Sequence, residues 1–187
     1  MKPNKLAKVI SNPEFPCPSE ILNQQVAIKI IYFGFDSHTH IGEIEVNNTV
    51  AKEVIEFFSL ALSLKFPIEK VSRSSDEPFK WNDDRLMAAN ISSGFNYRLV
   101  AGSSKISRHG LGLAIDINPR QNPYVRIVNG KELIAPYQAR YDPGKPGTLT
   151  TDHQLVHFML SHGWDWGGNW PLETGRVDYQ HFQKLLV

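Results

Sequence analysis

Ser107-Arg-His109-Gly-Leu-Gly112-Leu-Ala114-Ile-Asp116 places an imidazole and a carboxylate on either side of a glycine, with the acid on a β-prone run. Alternation along residues 113–117 puts Asp116 on a strand, on the face shared by Ala114 and Asn118. Near the C-terminus, Asp178-Tyr-Gln-His181 adds a second imidazole and a second carboxylate. His109, Asp116 and His181 are together the inventory of a hydrolytic zinc site, with three protein ligands and an open position for water and no thiolate required. Asp178 is the natural candidate to take a proton from that water. Residues three apart share a face on a helix. Residues 177–182 read more like a strand or bend, where that spacing does not guarantee convergence.

Working outward, 187 residues suffice for one domain with a real core and are too few for two large ones. The expected division is an irregular N-terminal arm over residues 1–25 and a single domain over 26–187. An apolar fraction of 41%, a charged fraction of 21% and a formal net charge of +1 describe an ordinary globular chain with no strong draw toward nucleic acid or an anionic membrane. Cys17 is the only cysteine, which excludes an intrachain disulfide and any cysteine-based metal cluster. Residues 1–25 are broken by Pro3, Pro13, Pro16 and Pro18 and lack the apolar stretch of a signal peptide. No apolar run approaches the roughly 20 residues needed to span a bilayer.

Residues 26–35 and 40–46, rich in β-branched and aromatic side chains, predict a hairpin across Asp36-Ser-His38. Asn48 is the expected cap of an amphipathic helix carrying Val50, Val54, Phe57, Phe58, Ala61 and Leu62. Short strands are expected at 68–71 and 97–100, with a polar loop over 72–83. Asn129-Gly130 signals a second hairpin between 125–128 and 132–134. Thr151-Asp-His-Gln154 fits a capping box for a helix that Gly163 stops. No internal repeat is present.

The Ser107 segment resembles the signature of the zinc peptidoglycan peptidases: D-alanyl-D-alanine carboxypeptidases, D,D-dipeptidases and phage L-alanyl-D-glutamate endopeptidases. The pattern fixes Ser, His, Gly, Ala and Asp, here Ser107, His109, Gly112, Ala114 and Asp116. Five such matches arise by chance on the order of once per million starting positions, so coincidence is a poor explanation. Asp178 and His181 match the second motif, an acid three positions before a late His. Aspartate there, with Gly163-Trp-Asp-Trp-Gly-Gly-Asn-Trp170, is similar to the endopeptidase branch. The resemblance spans about residues 91–185.

It implies an α+β fold, with a small antiparallel sheet carrying the metal site and helices flanking it. It also implies one zinc ion on His109, Asp116 and His181, with Asp178 as general base. Arg98 would bind the substrate carbonyl or carboxylate, where its permanent charge stabilises a developing oxyanion; the alternative for it is a surface salt bridge. Two neutral imidazoles and one carboxylate leave such a centre positive, which lowers the pKa of bound water toward about 7. The implied substrate is an amide bond in a peptidoglycan stem peptide, cut by a monomer acting on the cell wall although no leader is visible. The rival reading is a zinc-containing, cell-wall-binding module of the same fold without turnover.

Ser107 is expected to orient the loop or a ligand rather than attack, since no separate histidine would activate it. Trp170 and Tyr179 are expected to line a substrate groove, with Trp164, Trp166 and Phe182 divided between groove and core. His153 and His157 lie four apart on a helix, but Gln154 stands where a His-Glu-x-x-His site needs its base. His38 and His40 read as hairpin surface residues.

Overall fold

The run after Gln24 extends as β1 (Gln25–Phe33) and returns as β2 (Thr39–Asn47), paired antiparallel from Gln25↔Asn47 to Phe33↔Thr39. A computed structural model describes residues 8–100, 102–171, 173 and 175–185. Across this hairpin lies the helix that we label α2 (Ala51–Ser63), preceded by α1 (Ser19–Leu22). Val54, Phe57, Phe58 and Ala61 of α2 bury against Ile28, Ile30, Ile44 and Val46 of the hairpin.

Two expectations for this half need correction. Asn48 does not cap α2: Val50 holds the cap position, and the Asn47 side chain instead accepts from Thr49 N at 3.1 Å. The arm is not wholly irregular either. Residues 1–7 lie outside the described residues, but α1 forms one turn, and Val9 and Cys17 bury against Ala27 and Phe95. Apolar contact there overrides the breaking effect of the prolines.

The middle of the chain supplies β3 (Lys70–Val71) and β4 (Ile91–Ser92), a short parallel pair, with α3 (Asp83–Ala88) between them. α3 starts at the end of the expected polar loop and has no periodic apolar face to announce it. Its signal was nevertheless present, because the Asn82 side chain accepts from Arg85 N at 2.9 Å and Asp83 and Asp84 occupy the first turn. The expected strand over residues 97–100 reduces to one bridge, Leu99 to Ile106.

Then follow β5 (Ala114–Asp116), β6 (Tyr124–Val128), β7 (Lys131–Ala135), α4 (Gln154–Ser161), β8 (Trp164–Trp166), β9 (Arg176–Asp178) and β10 (His181–Lys184). The hairpin of β6 and β7 turns at Asn129 and Gly130, both at positive φ (51° and 71°) as a two-residue turn of this hand requires. His153, not Thr151, caps α4, its Nδ1 accepting from Leu155 N at 3.1 Å.

Two three-stranded antiparallel sheets result, ordered β5-β10-β8 and β7-β6-β9. The architecture is mixed α and β with small sheets, as expected, although the ligand-bearing strands and the strand of Asp178 fall in different sheets. In β5-β10-β8, Ile115, Phe182 and Trp166 point into the core shared with α2 and α4, each at most 1% exposed. Burying each such side chain contributes on the order of 2–3 kcal/mol. Period-two alternation then obliges Asp116 and His181 to face the other way.

Candidate metal centre

Register builds the centre. His181 on β10 stands directly opposite Asp116 on β5, so both side chains leave the same face as nearest cross-strand neighbours. Asp116 is pinned from its other side, where its N–H and C=O exchange hydrogen bonds with Ser93 at 2.9 and 3.1 Å. His109 arrives from a single 3₁₀ turn (His109–Leu111) before β5.

Each fixed residue of the motif now has a physical reason. Gly112 reverses the chain at φ 67°, and a Cβ there would stand 1.9 Å from Gln25 Oε1 and 2.6 Å from Asn47 N. Ala114 is fully buried, where a larger side chain has no room. Ser107 Oγ accepts from His109 N at 3.3 Å and so shapes the turn that presents the imidazole.

The donors converge closely. His109 Nε2 and His181 Nδ1 are 3.1 Å apart, and Asp116 Oδ1 lies 3.2 Å from the first and 3.1 Å from the second. Ligands about 2.0–2.1 Å from a tetrahedral zinc stand roughly 3.3–3.4 Å apart, so this donor triangle fits the ion with little adjustment. Outer hydrogen bonds set the tautomers. His109 Nδ1 lies 2.7 Å from Gly94 O, a pure acceptor, which makes Nδ1 the protonated nitrogen and turns the Nε2 lone pair inward. His181 Nε2 lies 3.4 Å from Gln183 Oε1, Gln183 Nε2 donates to Asp165 Oδ2 at 3.0 Å, and the same oxygen accepts from Trp170 Nε1 at 2.7 Å. Without a metal ion, protons on the imidazoles must hold these atoms together, and with one the same three atoms are free to act as ligands, so the triangle is a candidate binding site.

Electrostatics agree. Burial works against ionisation of Asp116, yet His109 and His181 outweigh it and hold the carboxyl far below the usual range. Burial likewise opposes charge on His181, and the Asp116 hydrogen bond overcomes it to raise the imidazole. Asp178 behaves oppositely. Burial pushes its carboxyl up to about 6 even though His181 pulls it down, and Oδ1 is buried without a hydrogen-bond partner. A half-buried carboxyl of raised proton affinity that shares a cavity with the triangle is equipped to accept a proton.

The triangle opens into a cavity of about 640 Å³, a suitable size for a short peptide. Ser107, His109, Asp116, Trp170, Asp178 and His181 all line it, as does Arg98. Arg98 is ion-paired with Asp83 of α3, the salt bridge that is the alternative to a substrate role. Trp170 is half-buried, with its ring centroid 5.7 Å from that of His181. Tyr179 is the one expected site residue set apart. It is absent from the cavity wall and stacks on Tyr141 with centroids 3.6 Å apart, because the β9–β10 turn points it across the sheet. Trp164, Trp166 and Phe182 are core residues.

Among the described residues, His109, Asp116 and His181 form the one cluster with convergent metal-ligand geometry. His153 is used as a helix cap, and His38 and His40 contact Asp36 in an exposed turn. Gly94, Gln183 and Asp165, which orient the ligands, carry no sequence signal, because Gly94 acts through its carbonyl and Gln183 and Asp165 meet only through strand pairing.

An α and β chain whose sheet presents a buried His-Asp-His triangle to an open cavity is, by class, a candidate single-metal hydrolase. Residues 101–184 match the family model described as D-alanyl-D-alanine carboxypeptidase, and this supports the zinc peptidase family that the motif resembles. No curated protein and no solved structure matches the chain. The matched segment carries every residue of the triangle together with Asp178 and Trp170.

Proposed function

We propose that the chain is a zinc metallopeptidase that hydrolyses an amide bond in peptidoglycan stem peptides. The observation that carries this reading is the 3.1–3.2 Å donor triangle sharing a cavity with the carboxyl of Asp178, one oxygen of which is buried and without a hydrogen-bond partner. His109, Asp116 and His181 would hold the ion, which when bound supplies a Lewis acid and lowers the pKa of water at the open position. Asp178 accepts the proton from the attacking water and delivers it to the amide nitrogen as the bond breaks, so that an amine rather than an amide anion leaves. Arg98, steadied by Asp83, offers positive charge to the substrate carbonyl or a neighbouring carboxylate. Ser107 keeps His109 in place, and Trp170 gives the peptide a flat apolar wall that excludes water.

Aspartate at position 178 and the Trp-Gly-Gly-Asn-Trp segment favour cleavage between L-Ala and D-Glu over release of a terminal D-Ala. The test is metal analysis paired with a muropeptide digest read by mass spectrometry. One zinc per chain with stems cut at a single amide supports the reading, and the fragment masses name the bond. Zinc-loaded protein that leaves every stem intact overturns it in favour of a binding module.

A further inference from the structure

β7 is the edge strand of its sheet, ordered β7-β6-β9, and among the described residues no other strand pairs with its outer side. Leu133, Ile134 and Ala135 of β7 all line the cavity that holds the metal-ligand triangle. Successive side chains on a strand point to opposite faces, so three consecutive lining residues mean that the cavity reaches the free edge of β7 and not one face alone. Edge strands are commonly guarded by charge. Lys131 and Glu132 guard the turn end of β7, whereas Leu133, Ile134 and Ala135 at the cavity end carry none.

The hairpin turn decides which main-chain groups face outward. A two-residue turn is closed by a hydrogen-bonded pair, here Val128 and Lys131, and such pairs alternate with non-bonded ones along an antiparallel ladder. Leu133 and Ala135 therefore turn their N–H and C=O toward β6, and Ile134 turns both away. The other side of β6 agrees: Ile127, in a non-bonded pair with Glu132, sends its N–H away from β7 to Gly175 O at 2.8 Å. Ile134 thus presents one donor and one acceptor at the margin of the cavity, which is the pattern that an extended peptide meets when it docks as an added strand.

We infer that the edge of β7 binds an extended segment of the peptide substrate as an added strand, through the N–H and C=O of Ile134. This rests on the hydrolytic reading of the cavity but reads out separately from it. Continuity names the occupant, because one cavity joins this edge to His109, Asp116 and His181. β7 lies two strands from β9, so a paired peptide runs roughly 14 Å from the strand of Asp178, a span of about four extended residues. The substrate class is then a peptide with several residues on one side of the scissile amide, and a dipeptide is too short to use the edge.

The experiment is amide hydrogen exchange, read by NMR, on zinc-loaded protein with and without the peptide L-Ala-γ-D-Glu-L-Lys-D-Ala-D-Ala. Asp178→Asn serves as the host, so that bound peptide stays whole, and the parent reports cleavage. Binding should slow exchange of the Ile134 N–H at least about tenfold more than that of Leu133, which β6 already holds. Ile134→Pro removes the outward N–H and no bond to β6, so peptide affinity should fall about fivefold, the worth of one hydrogen bond, with zinc content unchanged. If that variant folds poorly, exchange in the unaltered strand decides. Peptide that binds without slowing Ile134 overturns the proposal, as does an Ile134→Pro variant that binds it within twofold. Protection of Ile134 that needs no peptide and grows with protein concentration also overturns it, by naming a second copy as the occupant. Protection by a peptide that the parent never cleaves overturns the peptidase reading and leaves the edge standing, and a peptide that does not bind at all overturns both.

Discussion

A Cβ on Gly167 would stand 2.4 Å from the carbonyl oxygen of Asp178 and 2.9 Å from its Cβ, so the 3₁₀ turn after β8 is packed directly onto the strand that carries the candidate base. The obstacle is backbone and cannot swing aside as a flexible side chain would. Gly167→Ala is therefore expected to displace β9 and reduce kcat/KM for stem-peptide hydrolysis at least tenfold, with zinc content near one per chain. Steady-state kinetics alongside metal analysis checks this. Parent-like turnover would show that the seating of Asp178 is not critical.

Direct removal of the base sets the scale. Asp178→Asn keeps the size of the side chain and cannot accept the proton, so hydrolysis should fall by about 10²–10⁴-fold. His109, Asp116 and His181 remain, so zinc should still bind. Loss of the metal together with the activity would instead mark Asp178 as part of the metal's own support. His181→Ala provides the contrast. It should lose zinc, and its melting temperature should become indifferent to a chelator that lowers that of the parent.

The fold was legible where periodicity or a turn dipeptide carried it. The hairpin of β1 and β2, the apolar stripe of α2 and the Asn129-Gly130 turn all lie close to where the pattern put them. The short elements were not. Residues 97–100 alternate like a strand but find only the bridge at Leu99, and α3 was hidden because its six residues show no periodic face. The site divided the same way. His109, Asp116 and His181 came from motif spacing and converge as metal ligands must. Tyr179 did not reach the cavity, because β9 and β10 belong to different sheets and the turn between them aims it at Tyr141. Which residues orient the ligands depends on three-dimensional register, and no linear pattern states it.

That orientation is itself testable at Gln183, which joins His181 to Asp165 and through it to Trp170. Gln183→Leu removes the acceptor for His181 Nε2–H while keeping similar bulk. Partners of this kind typically change metal affinity by about 10–100-fold, and a loss in that range is expected in a competition titration against a chromophoric chelator. An unchanged zinc affinity would mean that packing alone sets the ring.

Glu45 makes a different demand on the fold. It lies on β2, is 1% exposed, and neither carboxyl oxygen has a hydrogen-bond partner. Burial raises it from 4.5 to about 7, against the opposing pull of Arg73. The folded chain thus holds this proton more tightly than the open chain does. Its stabilising contribution is complete below about pH 4.5 and declines as pH rises to about 7, above which it is lost. The swing is on the order of 3 kcal/mol from this one group. Urea unfolding at pH 5 and pH 8 should therefore show a fall in stability that is reduced in Glu45→Gln, since glutamine carries no proton to lose. Other groups titrate in the same interval, so the quantity that decides is the difference between the two proteins. An identical fall in both would mean that solvent or a neighbouring donor already satisfies the ionised carboxylate.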